Sequence, residues 1–289
     1  MRGQHNAVWV LLSQPPKRQA AATGRRAVVT GASRGIGAGI AQRLAAEGAD
    51  VALVARTLDT KDLTPGLRET QAVCHKCGTQ IAVVVADLAD EQARERVIPE
   101  AVDILGGNID VLVNNAVAGI AVPITDVTSQ HQRIAHECNV IAPLHLTQAV
   151  IPGMREKGGG WIVNLTSAGA NLHYGPPFYL GPQGSTMEVY GTTKAALNRI
   201  TSGLAGDLYG TGIRVNAVGP RVAVMSEGFA DLLGELLGPE NIESIEEIVE
   251  AVVAYCDCRE DVTGQVVVSL DLIAEWGLTV RGLDGLARV

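Results

Sequence analysis

Aromatic side chains make up only 3% of the 289 residues, too few to build the stacking platforms of a single-strand nucleic-acid binder. A dense basic patch is also missing. Lys and Arg number 23 against 31 Asp and Glu, leaving a net charge of −8 and a pI near 5.3, which argues against nucleic acid or an anionic membrane surface as the main partner. The apolar run at residues 7–12 is short and is broken by Ser13, Gln14, Pro15 and Pro16, so neither a membrane span nor a secretory signal is expected there. Cysteine is sparse: Cys74, Cys77, Cys138, Cys256 and Cys258 are odd in number and dispersed. That pattern excludes a disulfide framework and fits a reducing cytoplasm. Cys74 and Cys77 with Cys256 and Cys258 offer thiolates, but the second pair lacks the two-residue spacer usual in zinc sites, and no metal is assigned.

What is present is an apolar content of 47%, enough to bury the core of one large α/β domain. Residues 1–24 read as a flexible N-terminal extension, and residues 25–289 as a single domain without internal repeat or linker. Within it, buried strand patterns at residues 27–30, 50–55, 81–86, 111–113, 161–165, 213–218 and 262–268 alternate with helical stretches. The expected helices run to residue 47, to residue 76, and over 91–105, 130–155, 190–208 and 242–255. Such alternation predicts a doubly wound, three-layer α/β fold around a parallel seven-stranded sheet, with ligands at the carboxyl ends of the strands. Those ends carry Gly31, Arg56, Asp87, Asn114, Thr166 and Ser167. A lid is expected at residues 226–238.

Two stretches point to chemistry. Gly31, Gly35 and Gly37 sit in a turn between the first strand and the first helix, where glycine lets the backbone reverse and approach a pyrophosphate at a helix N-terminus. The second strand ends at Ala55-Arg56, with no carboxylate to bind a ribose 2′-hydroxyl; Arg56 and Arg34 would suit a 2′-phosphate instead. Further on, Tyr190 and Lys194 lie four apart on a predicted helix and share one face. An ammonium beside a phenol favours the phenolate and draws its pKa toward the working range, while Ser167 could hold a carbonyl oxygen against the phenol.

Taken together, Thr30-Gly31 to Gly37, Asp87, Asn114-Asn115-Ala116, Asn139, Ser167, Tyr190-x-x-x-Lys194, Asn216 to Pro220 and Thr263-Gly264 resemble the short-chain dehydrogenase/reductase family, in its shorter single-domain branch. The resemblance implies an NADP(H)-dependent oxidoreductase that interconverts a carbonyl and an alcohol of a small-molecule substrate, assembled as a homodimer or homotetramer. By the same resemblance, Tyr190 is the general acid/base, Lys194 tunes it and holds the nicotinamide ribose, Ser167 orients the substrate oxygen, and Asn139 supports a proton-relay water. Gly31, Ser33, Arg34, Gly35, Ile36, Gly37, Arg56, Asp87, Leu88, Asn114, Asn115, Ala116, Tyr190, Lys194 and Pro220 would contact the cofactor. The chain departs from the family pattern at Val117, at Arg221 after Pro220, and in an insertion within residues 171–187; these change the walls of the site. The competing class is a silent NADP(H)-binding sensor or scaffold, which has no chemical need for the full Asn, Ser, Tyr and Lys set.

Overall fold

The computed structural model describes residues 22–59, 65–178, 186–221, 223–224 and 242–287. The expected lid, most of the N-terminal extension and part of the insertion, residues 179–185, lie outside the described residues. The chain forms β1 (Arg26–Thr30), α1 (Gly35–Ala46), β2 (Asp50–Ala55), α2 (Leu67–Cys74), β3 (Ile81–Val85), α3 (Glu91–Leu105) and β4 (Val111–Asn114). It continues through α4 (Ser129–His136), α5 (Ala142–Glu156), β5 (Gly160–Leu165), α6 (Glu188–Asp207) and β6 (Ile213–Gly219). After two short paired strands, β7 (Ala223–Val224) and β8 (Ile242–Glu243), come α7 (Ile245–Tyr255), β9 (Val266–Val268) and α8 (Ser269–Trp276).

Seven strands pair in the order β3-β2-β1-β4-β5-β6-β9, and every pairing is parallel. Near-continuous Val, Ile, Leu and Ala in β1, β2 and β4 make sense only if both faces are covered. One face packs on α1, α2, α7 and α8 through Ile40, Leu44, Leu67, Val252 and Leu272. The other packs on α3, α5 and the end of α6 through Val97, Leu146 and Ala205. The chain order reverses direction at β1 and β4, and in such sheets the crevice for ligands opens at that point. No helix among the described residues is long and apolar enough to cross a membrane.

Three expected elements differ. The helix anticipated over residues 130–155 is interrupted by a π-helical segment, Glu137–Ile141, between α4 and α5. The helix expected from residue 242 starts at Ile245, because Ser244 caps it in a reciprocal capping box with Glu247 and the two residues before pair with β7. The last strand shrinks to Val266–Val268, since Gly264 adopts φ +77° and breaks the extended run. At the other end, Ala22 is buried and Gly24 N–H donates to the Gly48 carbonyl, so packed chain reaches back past the boundary expected at residue 24.

Candidate active site

The turn after β1 is held from within. Gly37 has no room for a side chain: an added Cβ would stand 2.2 Å from the Gly31 carbonyl oxygen and 2.4 Å from Asn115 Nδ2. Gly31 and Gly35 take φ of +66° and +57°, conformations that L side chains rarely adopt. Asn115 Nδ2 donates to the carbonyls of Thr30 (2.8 Å) and Gly31 (3.3 Å). The Thr30 hydroxyl accepts from the backbone of Asn115 and Ala116. The loops after β1 and β4 are thus sewn to each other. Arg34 occupies the cap position of α1 without a side-chain capping bond, which leaves first-turn amides open to an anion. Ser33 offers its carbonyl to Thr70, and Ile36 packs on the core.

Arg56 follows β2 directly, and both Arg34 and Arg56 are exposed. Neither side chain makes a hydrogen bond or ion pair with another described residue. Asp87 and Leu88 follow β3; Asp87 Oδ1 accepts from the Ala89 amide, and Leu88 is buried. Burial pushes the Cys138 thiol up; among the charges around it Asp87 adds to that push, while Arg56 and Arg94 oppose it. The ends of β2 and β3 therefore meet beside the π segment. Arg94, buried in α3, donates to the Leu88 carbonyl at 2.8 Å and pairs with Glu137 of the π segment at 2.7 Å.

On the other side, polar groups run through the interior. Asn114 Nδ2 donates to Asn164 Oδ1, and Asn164 Nδ2 to the Thr201 hydroxyl, each at 2.9 Å. Asn139, fully buried, accepts from the Ala118 amide (2.8 Å) and donates to the Ala118 carbonyl and the Thr193 hydroxyl. Its side chain clamps the loop after β4 to α6. Asn164, Thr193 and Thr201 were not singled out in the sequence, where only Asn164, a polar residue inside an apolar strand, gave a signal.

Tyr190 lies in the first turn of α6, with Lys194 one turn on, and the Lys194 Nζ stands 5.8 Å from the centre of the Tyr190 ring. Of the two hydroxyls after β5, Ser167 is the one that hydrogen-bonds Tyr190, while Thr166 is buried with its Oγ1 unpartnered. Ser167 Oγ also accepts from the Gly169 amide at 3.1 Å. Gly191 lets α6 approach, since a Cβ there would meet the Gly169 carbonyl oxygen at 2.4 Å. Burial, not the neighbouring ammonium, dominates the shift of Tyr190. Burial raises its pKa and outweighs the bond from Ser167, which lowers it. Lys194, wholly buried, is pushed down to about 8 by the same desolvation, and its Nζ donates to the Leu165 carbonyl at 2.6 Å. At about 8 the group is still largely an ammonium at neutral pH, and the N–H it donates goes to a backbone oxygen rather than to the Tyr190 hydroxyl. Pro220 follows β6 at the same edge of the sheet.

Residues 25–229 match the short chain dehydrogenase family. The chain belongs to this family. A tropinone reductase homolog of Arabidopsis thaliana is 32% identical over 199 residues, 69% of this chain and 68% of its own. The L-sorbose reductase of Gluconobacter frateurii, solved with NADPH and L-sorbose, superposes with a TM-score of 0.73 at 28% identity, over 87% of this chain and 97% of its own. A 7α-hydroxysteroid dehydrogenase solved with NADH and 7-oxo glycochenodeoxycholic acid also gives 0.73 at 28% identity, over 86% and 94%. The family's members include carbonyl and alcohol oxidoreductases that use NAD or NADP.

Proposed function

We propose that the protein is an NADP(H)-dependent oxidoreductase that interconverts a carbonyl and an alcohol, with Tyr190 as general acid/base. The observation that carries this reading is the meeting of Ser167, Tyr190 and Lys194 at the end of β5 and start of α6, beside a glycine turn too tight for side chains. The residues present fit a dinucleotide. Gly31, Ser33, Gly35, Ile36 and Gly37 with the open first turn of α1 would hold the diphosphate, and Asp87 and Leu88 the adenine side. Asn114, Asn115, Ala116 and Pro220, with Tyr190 and Lys194, would flank the nicotinamide side. The unpartnered buried oxygens of Asn114 and Thr166 at the ends of β4 and β5 are acceptors still lacking donors.

Arg34 and Arg56 would favour a 2′-phosphate, each through charge-assisted hydrogen bonds. Both cofactors occur among the structural relatives, so the preference rests on these two side chains and on Ala55, where a carboxylate would repel phosphate. When bound, the cofactor supplies or accepts the hydride. A phenol raised by burial is protonated at neutral pH, which suits Tyr190 to hand its proton to a carbonyl oxygen held by Ser167. Asn139 is committed to Ala118 and Thr193, so its part is to fix α6 and the loop after β4; a relay water would have to use its backbone.

A panel of ketones, aldehydes and quinones mixed with NADPH, read by the loss of its absorbance, tests the reading; no turnover of any of them would overturn it. Five thiols that are all free support a reducing, cytoplasmic setting. A homodimer or homotetramer through α4–α5 and α6 is supported by Ile141, exposed on that face. A monomeric mass by light scattering at micromolar concentration would remove it.

A further inference from the structure

The loops after β4 and β5 rise side by side, because these strands pair directly in parallel, and they differ from the rest of the surface in composition. Residues 116–125 and 168–187 contain no Asp, Glu, Lys or Arg, although 19% of the chain is charged. The residues that follow Ser167 turn tightly against the Tyr190 ring: a Cβ on Gly169 would lie 3.6 Å from its ring carbons. Beyond that turn, Leu172, Tyr174 and Phe178 are 74%, 69% and 62% exposed. On the neighbouring loop, just before and after the Ala118 that Asn139 clamps, Val117 and Ile124 are 51% and 58% exposed. A single exposed apolar side chain is ordinary, but five of them on two adjoining loops that lack charge, at the ligand-facing ends of the strands, mark a binding surface. Its place beside Tyr190 and Ser167 says what would cover it: the part of the substrate that extends away from the reacting carbon.

We infer that the substrate is an uncharged, predominantly apolar carbonyl compound, larger than its reacting group, whose hydrocarbon body rests on Val117, Ile124, Leu172, Tyr174 and Phe178. This deepens the proposed function and rests on it. A polyhydroxy ketone would find only the Tyr174 phenol among these side chains to partner its several hydroxyls, and a phosphorylated or carboxylated substrate would find no Lys or Arg in either loop. The NADP(H) and the proton balance are those of the parent reaction: hydride to the carbonyl carbon, proton from Tyr190 to its oxygen.

The test is a homologous series of unbranched methyl ketones from four to ten carbons, with NADPH, against a polyhydroxy ketone such as L-sorbose. Burial of each added methylene predicts that kcat/KM rises about threefold to fourfold per carbon, with L-sorbose at least a hundredfold below the longest ketone. In Leu172→Ser and, separately, Phe178→Ser, both at exposed positions where folding is not at stake, the ratio of the ten-carbon to the four-carbon ketone should fall by about threefold or more. A flat or falling series, a preference for L-sorbose, or a ratio untouched by both variants overturns the substrate class while leaving the oxidoreductase reading in place. No turnover of any carbonyl compound overturns both.

Discussion

The strands from β3 to β1 and those from β4 to β6 meet the site with different materials. On the β3-to-β1 side the contacts run mostly to backbone atoms of the glycine turn, and Arg34, Arg56 and Asp87 stand in solvent. On the β4-to-β6 side polar side chains run into the interior: Asn114 to Asn164 to Thr201, and Asn139 to Thr193. A surface arginine can change with little cost to folding, whereas an amide inside a network cannot be lost without stranding its partners. Under the proposed function, cofactor choice should therefore be separable from stability, and the chemistry should not.

The sharpest break in that comparison is Tyr190→Phe. It removes one hydroxyl from the β4-to-β6 side, and turnover should fall by about 10²-fold or more, the usual scale for losing a positioned acid. NADPH affinity, measured by fluorescence titration, should hardly move. A Phe variant as active as the parent protein would show that the acid lies elsewhere.

Arg56→Ala probes the opposite side and should be nearly silent in thermal denaturation. A lost charge-assisted contact is expected to weaken NADPH binding roughly tenfold to a hundredfold while leaving NADH binding nearly unchanged. The gap should narrow with added salt, because the charge is exposed. Equal affinities for the two cofactors in the unsubstituted protein would refute the 2′-phosphate assignment.

How much of this was readable in the sequence follows the same divide. The glycine turn, the strand ends and the Tyr190–Lys194 spacing are local patterns, and they landed where local rules put them. What escaped was set by partners distant in the chain. Asn139 sits in a π segment because its amide reaches Ala118 and Thr193, which no helical period announces. Arg43 looks like a surface residue of an amphipathic helix, yet it is fully buried between Glu47 and Glu250, and Leu283 of the C-terminal segment lies over the same helix at Gly39. The dryness of the Tyr190–Lys194 pair also escaped, because spacing shows that a lysine is near but not how buried it is.

Lys194 turns that dryness into a pH dependence. Its folded pKa of about 8 lies below the ordinary 10.5, so between those values the unfolded chain holds more protons, and stability from this group rises with pH. Tyr190, Cys74 and Cys258 shift upward and act in the other sense above their ordinary values, so the raw profile mixes both signs. Subtracting the profile of Lys194→Met isolates the lysine. Between pH 7 and 9.5 urea denaturation should show the unsubstituted protein gaining on the variant by on the order of 2 kcal/mol. A constant difference would mean that the ammonium is well solvated.

The smallest expected effect lies where the two sides are joined. Arg94 is buried and holds the Leu88 carbonyl of the loop after β3 with one hand and Glu137 of the π segment with the other. It thereby connects the loop after β3 to the element that carries Asn139. Glu137 keeps 35% of its side chain in water, so the pair is screened on one flank, and the carboxylate adds less than a buried partner would. Glu137→Gln keeps a hydrogen-bond acceptor in place and removes only charge. It should cost roughly 1 kcal/mol of stability, weaken NADPH binding by less than about threefold, and leave the pH profile of turnover where it was. A large loss of turnover with stability intact would mean that the charge of Glu137 acts on the chemistry directly, and the division between a solvent-facing binding side and an interior catalytic side would have to be redrawn through Arg94.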